Sequence, residues 1–360
     1  MAITRESITE ALNDVKDPYL GNSISTAITD FSSGERSVLL GLTLGYPAAG
    51  ISQELAKRIT DRVQQLHDGV EVHVQIDYQI ESFTSGQGQA VAGVKNVIAV
   101  ASGKGGVGKS TVAVNLALAL HAEGAVVGLL DADIYGPSQG SMLGVPVGTT
   151  PEIYEQSQLE PIQAHGIQCM SMSFMAPERT PMVWRGPMAS GALQQLVGQT
   201  RWDNLDYLVV DMPPGTGDIQ LTLSQQVPLS GAVIVTTPQD IALLDAQNGI
   251  EMFRQVNVPV LGIVENMSVH ICSECGNEET IFGEGGGMAI AEEYDTRLLA
   301  GLPLSKEIRQ LLDDGQPPVA ADPESEVSLI FRDMTRTVAA AICSDIAEGE
   351  NQPVIRISND

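Results

Sequence analysis

Gly103-Lys104-Gly105-Gly106-Val107-Gly108-Lys109-Ser110 sets four glycines, two lysines and a hydroxyl in eight residues, the G-x-x-x-x-G-K-[ST] spacing of a phosphate-cradling loop. Glycines let backbone N–H groups close on an anion, Lys109 reaches β- and γ-phosphates, and Ser110 offers its hydroxyl to Mg²⁺. Only six lysines occur in 360 residues, so two in one loop is a concentrated use of positive charge. Lys104 beside the first glycine is surplus to an ordinary phosphate loop. It has the reach to cross a dimer interface and stabilise transition-state charge in a partner's site, as a finger residue does in trans. Three carboxylates follow apolar runs: Asp131 and Asp133 after Leu129-Leu130, and Asp211 after Tyr207-Leu208-Val209-Val210. Strand-end aspartates of this kind hold Mg²⁺ or orient water. Asp131 and Asp211 are assigned to the magnesium shell, and Asp133 to water positioning. A last pair, Cys272 and Cys275, is by spacing alone half a zinc site, a redox dithiol or a chance pair.

These residues need elements to position them. Val97-Ile98-Ala99-Val100-Ala101 precedes the loop as a buried strand, and Thr111 to Leu120 follows as a helix with Val112, Leu116 and Leu120 at helical spacing. The helix N-terminus then adds its dipole and free N–H groups to the anion site. Further apolar runs at 126–130, 167–172, 207–210, 232–235, 260–264 and 298–302 alternate with helical segments. That rhythm predicts right-handed βαβ units and an α/β, doubly wound, mostly parallel sheet, with ligands beyond the carboxyl ends of its strands. Residues 1–80 read as a separate small α/β domain. Ile8, Leu12 and Val15 line one helix, Leu55, Ile59, Val63 and Leu66 another, and Val70, Val72, Val74 and Ile76 alternate as in a strand. Residues 81–95, rich in Ser, Gly and Gln, read as a flexible linker, 96–347 as the nucleotide domain, and 348–360 as an acidic tail.

Net charge is −26, from 19 basic and 45 acidic residues. Such a surface repels nucleic acid and anionic membranes, so neither is an expected partner, and the scarcity of lysine fits a salt-rich, halophilic cytoplasm. No apolar stretch is long enough for a membrane helix and the first residues lack a signal-peptide core, so a cytoplasmic location is expected. The four cysteines are then reduced unless they bind metal. Cys169 and Cys343 lie in apolar segments and read as inert core thiols, and His270 as a surface histidine. Two thiolates at metal spacing become four at the axis of a two-fold homodimer.

The loop, Asp131-Ala132-Asp133-Ile134-Tyr135-Gly136-Pro137-Ser138, Arg185-Gly186-Pro187-Met188, Asp211 to Asp218, Thr236-Thr237-Pro238-Gln239, Glu265-Asn266-Met267-Ser268 and Phe282 to Gly287 occur in one order between about Asn96 and Val319. Together they resemble the deviant Walker A ATPases, and within them the Mrp/ApbC family of iron–sulfur cluster carriers. The resemblance implies an ATPase whose nucleotide is held by Gly103, Gly105, Gly106, Val107, Gly108, Lys109, Ser110 and Thr111, with Asn266 against the base. Met267-Ser268-Val269 after Asn266 lacks the aspartate that a guanine site needs, which favours ATP. Lys104, Lys109 and Asp133 are the implied catalytic set. Cys272 and Cys275 match the pair that, in this family, holds a four-iron four-sulfur cluster bridging the homodimer, with zinc as the competing occupant. Apo iron–sulfur proteins and a cluster assembly scaffold are the implied partners.

Residues 1–80 resemble the small iron–sulfur assembly domain often fused ahead of this ATPase, notably at Asp17-Pro18-Tyr19-Leu20-Gly21. Ala49 stands where that domain often carries a cysteine after Pro47-Ala48, so a docking or regulatory role is expected there rather than thiol chemistry. Two other classes compete. A spatial-positioning ATPase of the MinD/ParA type needs a basic membrane- or DNA-binding surface, and a reductase like the nitrogenase iron protein takes its two cysteines from positions far apart in sequence.

Overall fold

Apolar runs bounded by glycine and aspartate become strands, and the helix-period segments between them cover the sheet. The computed structural model describes residues 3–34, 36–83, 90–155, 158–175, 186–272 and 274–350. It divides into two compact units, one of Met1–Glu81 with Ala339–Asp360 and one of Ser82–Val338.

In the first unit, α1 (Arg5–Leu12), β1 (Ile28–Ser33), β2 (Ser37–Leu44), α2 (Ser52–Leu66) and β3 (Glu71–Tyr78) form a three-stranded sheet of order β1-β2-β3 with two helices. The β1–β2 pair is antiparallel and β2–β3 is parallel. The core is Ile8 and Leu12 of α1, Val38, Leu40, Leu42 and Leu44 of β2, and Leu55, Ile59 and Val63 of α2. Val15 falls beyond α1 and Leu66, at the last turn of α2, is exposed. Buried Asp17 accepts from the backbone N–H groups of Tyr19 and Leu20 and from the Tyr46 hydroxyl, which fixes the Asp17–Gly21 turn.

The second unit is built on a nine-stranded sheet. Its elements are β4 (Val94–Ala101), α3 (Lys109–Ala122), β5 (Val127–Asp131), α4 (Gln139–Met142), the short pair β6 (Ile153–Tyr154) and β7 (Gln158–Leu159), β8 (Ile162–Ala164), β9 (Ile167–Ser171), α5 (Gly186–Gln199), β10 (Leu205–Asp211), α6 (Asp218–Gln226), β11 (Gly231–Thr236), α7 (Asp240–Gln255), β12 (Val260–Ile271), β13 (Glu278–Glu279), α8 (Gly286–Glu293), β14 (Leu298–Leu304), α9 (Lys306–Asp313), α10 (Pro318–Ala321) and α11 (Glu326–Glu350). The strand order is β12-β11-β4-β10-β5-β9-β8, with β14 and β13 both pairing with β12. All pairings in it are parallel except β8 on β9 and β13 on β12. The doubly wound α/β sheet expected from the sequence is therefore present. Helix α3 is buried from Val112 to Leu120, as its uniformly apolar composition requires. Glu123 at its end is fully buried and takes Arg332 and Arg336 of α11 as counter-charges.

The expected boundaries shift in two places. The linker of 81–95 gives Val94 and Lys95 to β4, where the Lys95 carbonyl accepts from the Phe83 N–H, while 84–89 lie outside the described residues. The expected break at 347/348 falls inside α11, because the apolar helix period of Val338 to Ile342 carries through, and from Ala339 this helix belongs with the first unit. The tail beyond 350 is outside the described residues, as is Arg185.

Candidate nucleotide site and thiol hairpin

Parallel pairing brings the carboxylates together. Asp211 of β10 is in register with Asp131 of β5 on one side and Val100 of β4 on the other, so both aspartates end at one level where the phosphate loop leaves β4. Asp131 is fully buried and accepts from the N–H groups of Asp133 (3.2 Å), Ser138 (2.9 Å) and Gln139 (3.0 Å) and from the Ser171 hydroxyl (3.1 Å). Burial, and then the charge of Asp211, push its pKa up to about 7 from an ordinary 3.8. The Lys109 ammonium, 6% exposed, is ion-paired with Asp211 and lies 3.8 Å from Asp133 and 3.3 Å from the Ser110 hydroxyl. Three acidic groups thus crowd one ammonium, which is paired with two of them. Among the described residues, Ser138 Oγ and Gln139 Oε1 are buried beside them without a partner.

The loop itself is shaped by close approach. Gly108 has φ +89°, and a Cβ there would stand 2.1 Å from Asn266 Nδ2, while a Cβ on Gly103 would stand 2.0 Å from the Asp245 carbonyl of α7. Helix α3 starts at Lys109 with no side-chain cap and no acidic residue in its first turn, so its end presents amide donors and positive dipole suited to an anion. Asn266 reaches the loop from β12 and donates to the Val107 carbonyl at 2.8 Å. A 560 Å³ cleft opens there, lined by Gly108, Thr111, Asn266, Pro303, Leu304 and Phe331 among others, within the size range of small-molecule sites. Gly103 through Thr111 and Asn266 are therefore brought to one place, together with Asp131, Asp133 and Asp211. Lys104 is half-buried, its carbonyl accepting from the Ser102 hydroxyl, and among the described residues its ammonium has no ion-pair partner.

Gln139, Ser171 and Gln220 also shape the site, although no motif in the sequence marks them. Gln139 donates to Asp211 and to the Ser110 carbonyl, and Gln220 to the Pro213 carbonyl of the loop after Asp211. Gln139 sits one residue past the Asp131–Ser138 motif, and its partner Asp211 is 72 residues away. No local pattern marks such a contact.

The cysteines sit just beyond the end of β12. This strand runs to Ile271, well past the expected end at Val264, and folds back through β13, with His270 opposite Glu279 and Ile271 opposite Glu278. The tip is a tight turn: Cys272 N–H donates to the Asn277 carbonyl and Gly276 N–H to the Cys272 carbonyl, both at 2.9 Å. Cys272 is half-exposed and Cys275 exposed, with Ser273 outside the described residues. The backbone N–H groups of Glu274 and Cys275, and then the Cys275 side chain, hold the Cys272 thiol below its ordinary range, favouring the thiolate that ligates metal. Among the described residues no group of three or more His, Cys, Asp or Glu is arranged to hold a metal. His270, expected on the surface, is half-buried, and among the described residues its enclosed Nδ1 has no partner. Cys169 is buried and Cys343 half-buried, and burial raises both thiols, in keeping with inert roles.

A phosphate loop on a parallel sheet, facing two strand-end aspartates, defines a P-loop nucleoside triphosphatase of the MinD/ParA-like fold. Comparison with known proteins narrows the class. Residues 93–339 match the family described as ParA, NUBPL iron-transfer P-loop NTPase, and the chain belongs to it. It is similar to the iron–sulfur cluster carrier protein of Pseudomonas fragi, 64% identical over 247 residues, or 69% of this chain and 86% of the relative. It is also similar to the protein of that name from Escherichia coli strain K12, 47% identical over 341 residues, or 94% of this chain and 92% of that one. Among solved structures, the nucleotide-binding protein of Archaeoglobus fulgidus in complex with ADP is 36% identical and superposes with a TM-score of 0.57, over 66% of this chain and 91% of that one. Among the described residues no helix is long and apolar enough to cross a membrane.

Proposed function

We propose that this chain is a homodimeric, ATP-hydrolysing carrier that holds an iron–sulfur cluster as cargo and passes it to apo-proteins in the cytoplasm. The observation that carries the reading is that one strand serves both sites. Asn266 of β12 touches the phosphate loop, and six residues on the same strand delivers Cys272 to an exposed, amide-supported thiol turn. The names of the two curated relatives support the cargo. A spatial-positioning ATPase would leave the thiol turn without a role.

In this reading the amides of Gly105 to Ser110 and the Lys109 ammonium bind the β- and γ-phosphates, while Asn266 and the cleft of Pro303 and Leu304 take the adenine. Ser110, Asp131 and Asp211 would hold magnesium, which when bound neutralises charge on the phosphate oxygens. Asp133 orients the water that attacks the γ-phosphorus, and the P–O bond to ADP breaks as inorganic phosphate leaves. Lys104 acts in the partner's site. Each thiol turn offers two thiolates, and two turns at a two-fold axis supply the four that a four-iron four-sulfur cluster takes. Nucleotide state biases the dimer and so the exposure of the cargo. The first unit, with Ala49 in place of a thiol, docks a scaffold or client. The acidic surface suits a salt-rich cytoplasm, so unfolding temperature should rise from millimolar to molar KCl.

The test is transfer. Anaerobically loaded protein mixed with apo-ferredoxin should convert it to holo-ferredoxin, faster with MgATP than with a non-hydrolysable analogue. Stoichiometric zinc with no iron uptake would overturn the carrier reading.

A further inference from the structure

Gln139 is the least explained side chain around the phosphate loop. It is fully buried and opens α4, on the segment that follows Asp131. Its backbone N–H donates to Asp131 (3.0 Å), and its Nε2 donates to Asp211 (2.8 Å) and to the Ser110 carbonyl (3.0 Å). One residue thus ties together the three elements that carry Ser110, Asp131 and Asp211. Among the described residues its Oε1 is buried without a partner, an arrangement that costs stability wherever a polar atom gives up water for nothing.

The chemistry of the surroundings says what such an acceptor receives. Asp131, Asp133 and Asp211 supply acceptors, and Lys109 is already paired with Asp133 and Asp211. Magnesium dehydrates reluctantly and keeps several waters when bound by one or two carboxylates, and those waters bring O–H donors. A carboxylate at position 139 would add a fourth negative charge to the cluster, whereas an amide offers an acceptor without charge and keeps a donor for Asp211. We infer that Gln139 is a magnesium-positioning residue: Nε2 fixes the Asp211 carboxylate, and Oε1 accepts from a water of the hydrated ion. The inference rests on the nucleotide-site reading above. It adds a residue that acts through the metal's hydration rather than on the phosphates.

Binding separates the two. A fluorescent ATP analogue is titrated with EDTA and then across magnesium concentrations, using the full chain and its Gln139→Leu and Gln139→Met variants. Methionine matches glutamine in length and is unbranched, so it serves where leucine perturbs folding, and unfolding temperature without nucleotide confirms that each variant is folded. Metal-free affinity should stay within about twofold of the parent. The magnesium concentration giving half the affinity gain should rise about tenfold, the loss of roughly one charge-assisted hydrogen bond. The magnesium-dependent rise in unfolding temperature with ADP present should shrink in step. An unchanged magnesium titration in either folded variant would overturn the inference, as would parallel loss of metal-free affinity, which marks a purely structural role. If the parent itself shows no magnesium-dependent nucleotide binding, the nucleotide-site reading fails instead.

Discussion

The two ends of β12's C-terminal half are built to opposite rules. Around Asn266 the groups are buried and cross-linked over long sequence distances, from Lys109 to Asp211, from Gln139 to Ser110 and Asp211, and from Asp131 to Ser171. Around Cys272 the chain is a short hairpin of two paired positions with an exposed thiol at its tip and amide hydrogen bonds within its own turn. A site that must hold charge in fixed geometry through turnover needs the first kind of surroundings. A site that must give its cargo away needs the second, because few ligands and open access keep exchange fast. In the proposed reading each nucleotide is bound within one chain, while the thiol turn brings half of a four-thiolate set.

The largest test of this contrast is a double dissociation. Cys272→Ala or Cys275→Ala should abolish cluster loading in anaerobic reconstitution while nucleotide affinity stays within about twofold, and Cys169→Ala and Cys343→Ala should load normally. Lys109→Ala should do the reverse, abolishing nucleotide binding while the cluster's broad absorption near ~400 nm is retained. Loss of both properties in either variant would show that the two regions are one cooperative site.

Lys104 probes the one point where the nucleotide site is expected to need a partner. Lys104→Ala should leave ATP binding intact and slow hydrolysis about a thousandfold, the low end for a charge supplied in trans. Mixed with Asp133→Ala subunits it should regain measurable turnover, since one of the two mixed sites is then intact. Absence of rescue, with subunit exchange verified by mass, would place the Lys104 requirement within its own chain.

Smaller effects sharpen the contrast from the buried side. Gly108→Ala combines a left-handed backbone with a collision against Asn266 Nδ2. It should cost about 1–2 kcal/mol of stability and about tenfold in nucleotide affinity by equilibrium titration, and leave cluster loading unchanged. Asp131 gives a pH signature. Because its folded pKa is raised to about 7 from 3.8, the folded state holds a proton that the unfolded chain releases, so nucleotide-free stability falls as pH rises through that window and levels off above it. Asp131→Asn should flatten that slope and raise the unfolding temperature at pH 8, read by thermal denaturation from pH 5 to 8.

What the sequence disclosed follows from which interactions are local. The central strands were legible because a strand buried on both faces is a continuous apolar run, as at Val97–Ala101 and Tyr207–Val210. The loop and the strand-end aspartates were legible because their motifs are contiguous. β1 and β2 went unnamed, although Val38, Leu40, Leu42 and Leu44 alternate into the core, because Ser and Gly weaken the outward positions. The extension of β12 past Val264 was hidden by Glu265-Asn266, polar residues that are buried only because the phosphate loop and the Gly287 N–H receive them. Gln139 has no signal at all before the strands are paired.

In the proposed dimer each chain binds its own nucleotide, whereas the cargo site draws on both chains. Anaerobic native mass spectrometry of reconstituted protein with MgADP tests this directly. We expect a dimer carrying two nucleotides and one cluster of about four irons, as four-thiolate ligation requires, with Cys272→Ala giving nucleotide-bound protein free of iron. A monomer that retains a full cluster, or a dimer carrying one cluster per chain, would contradict it.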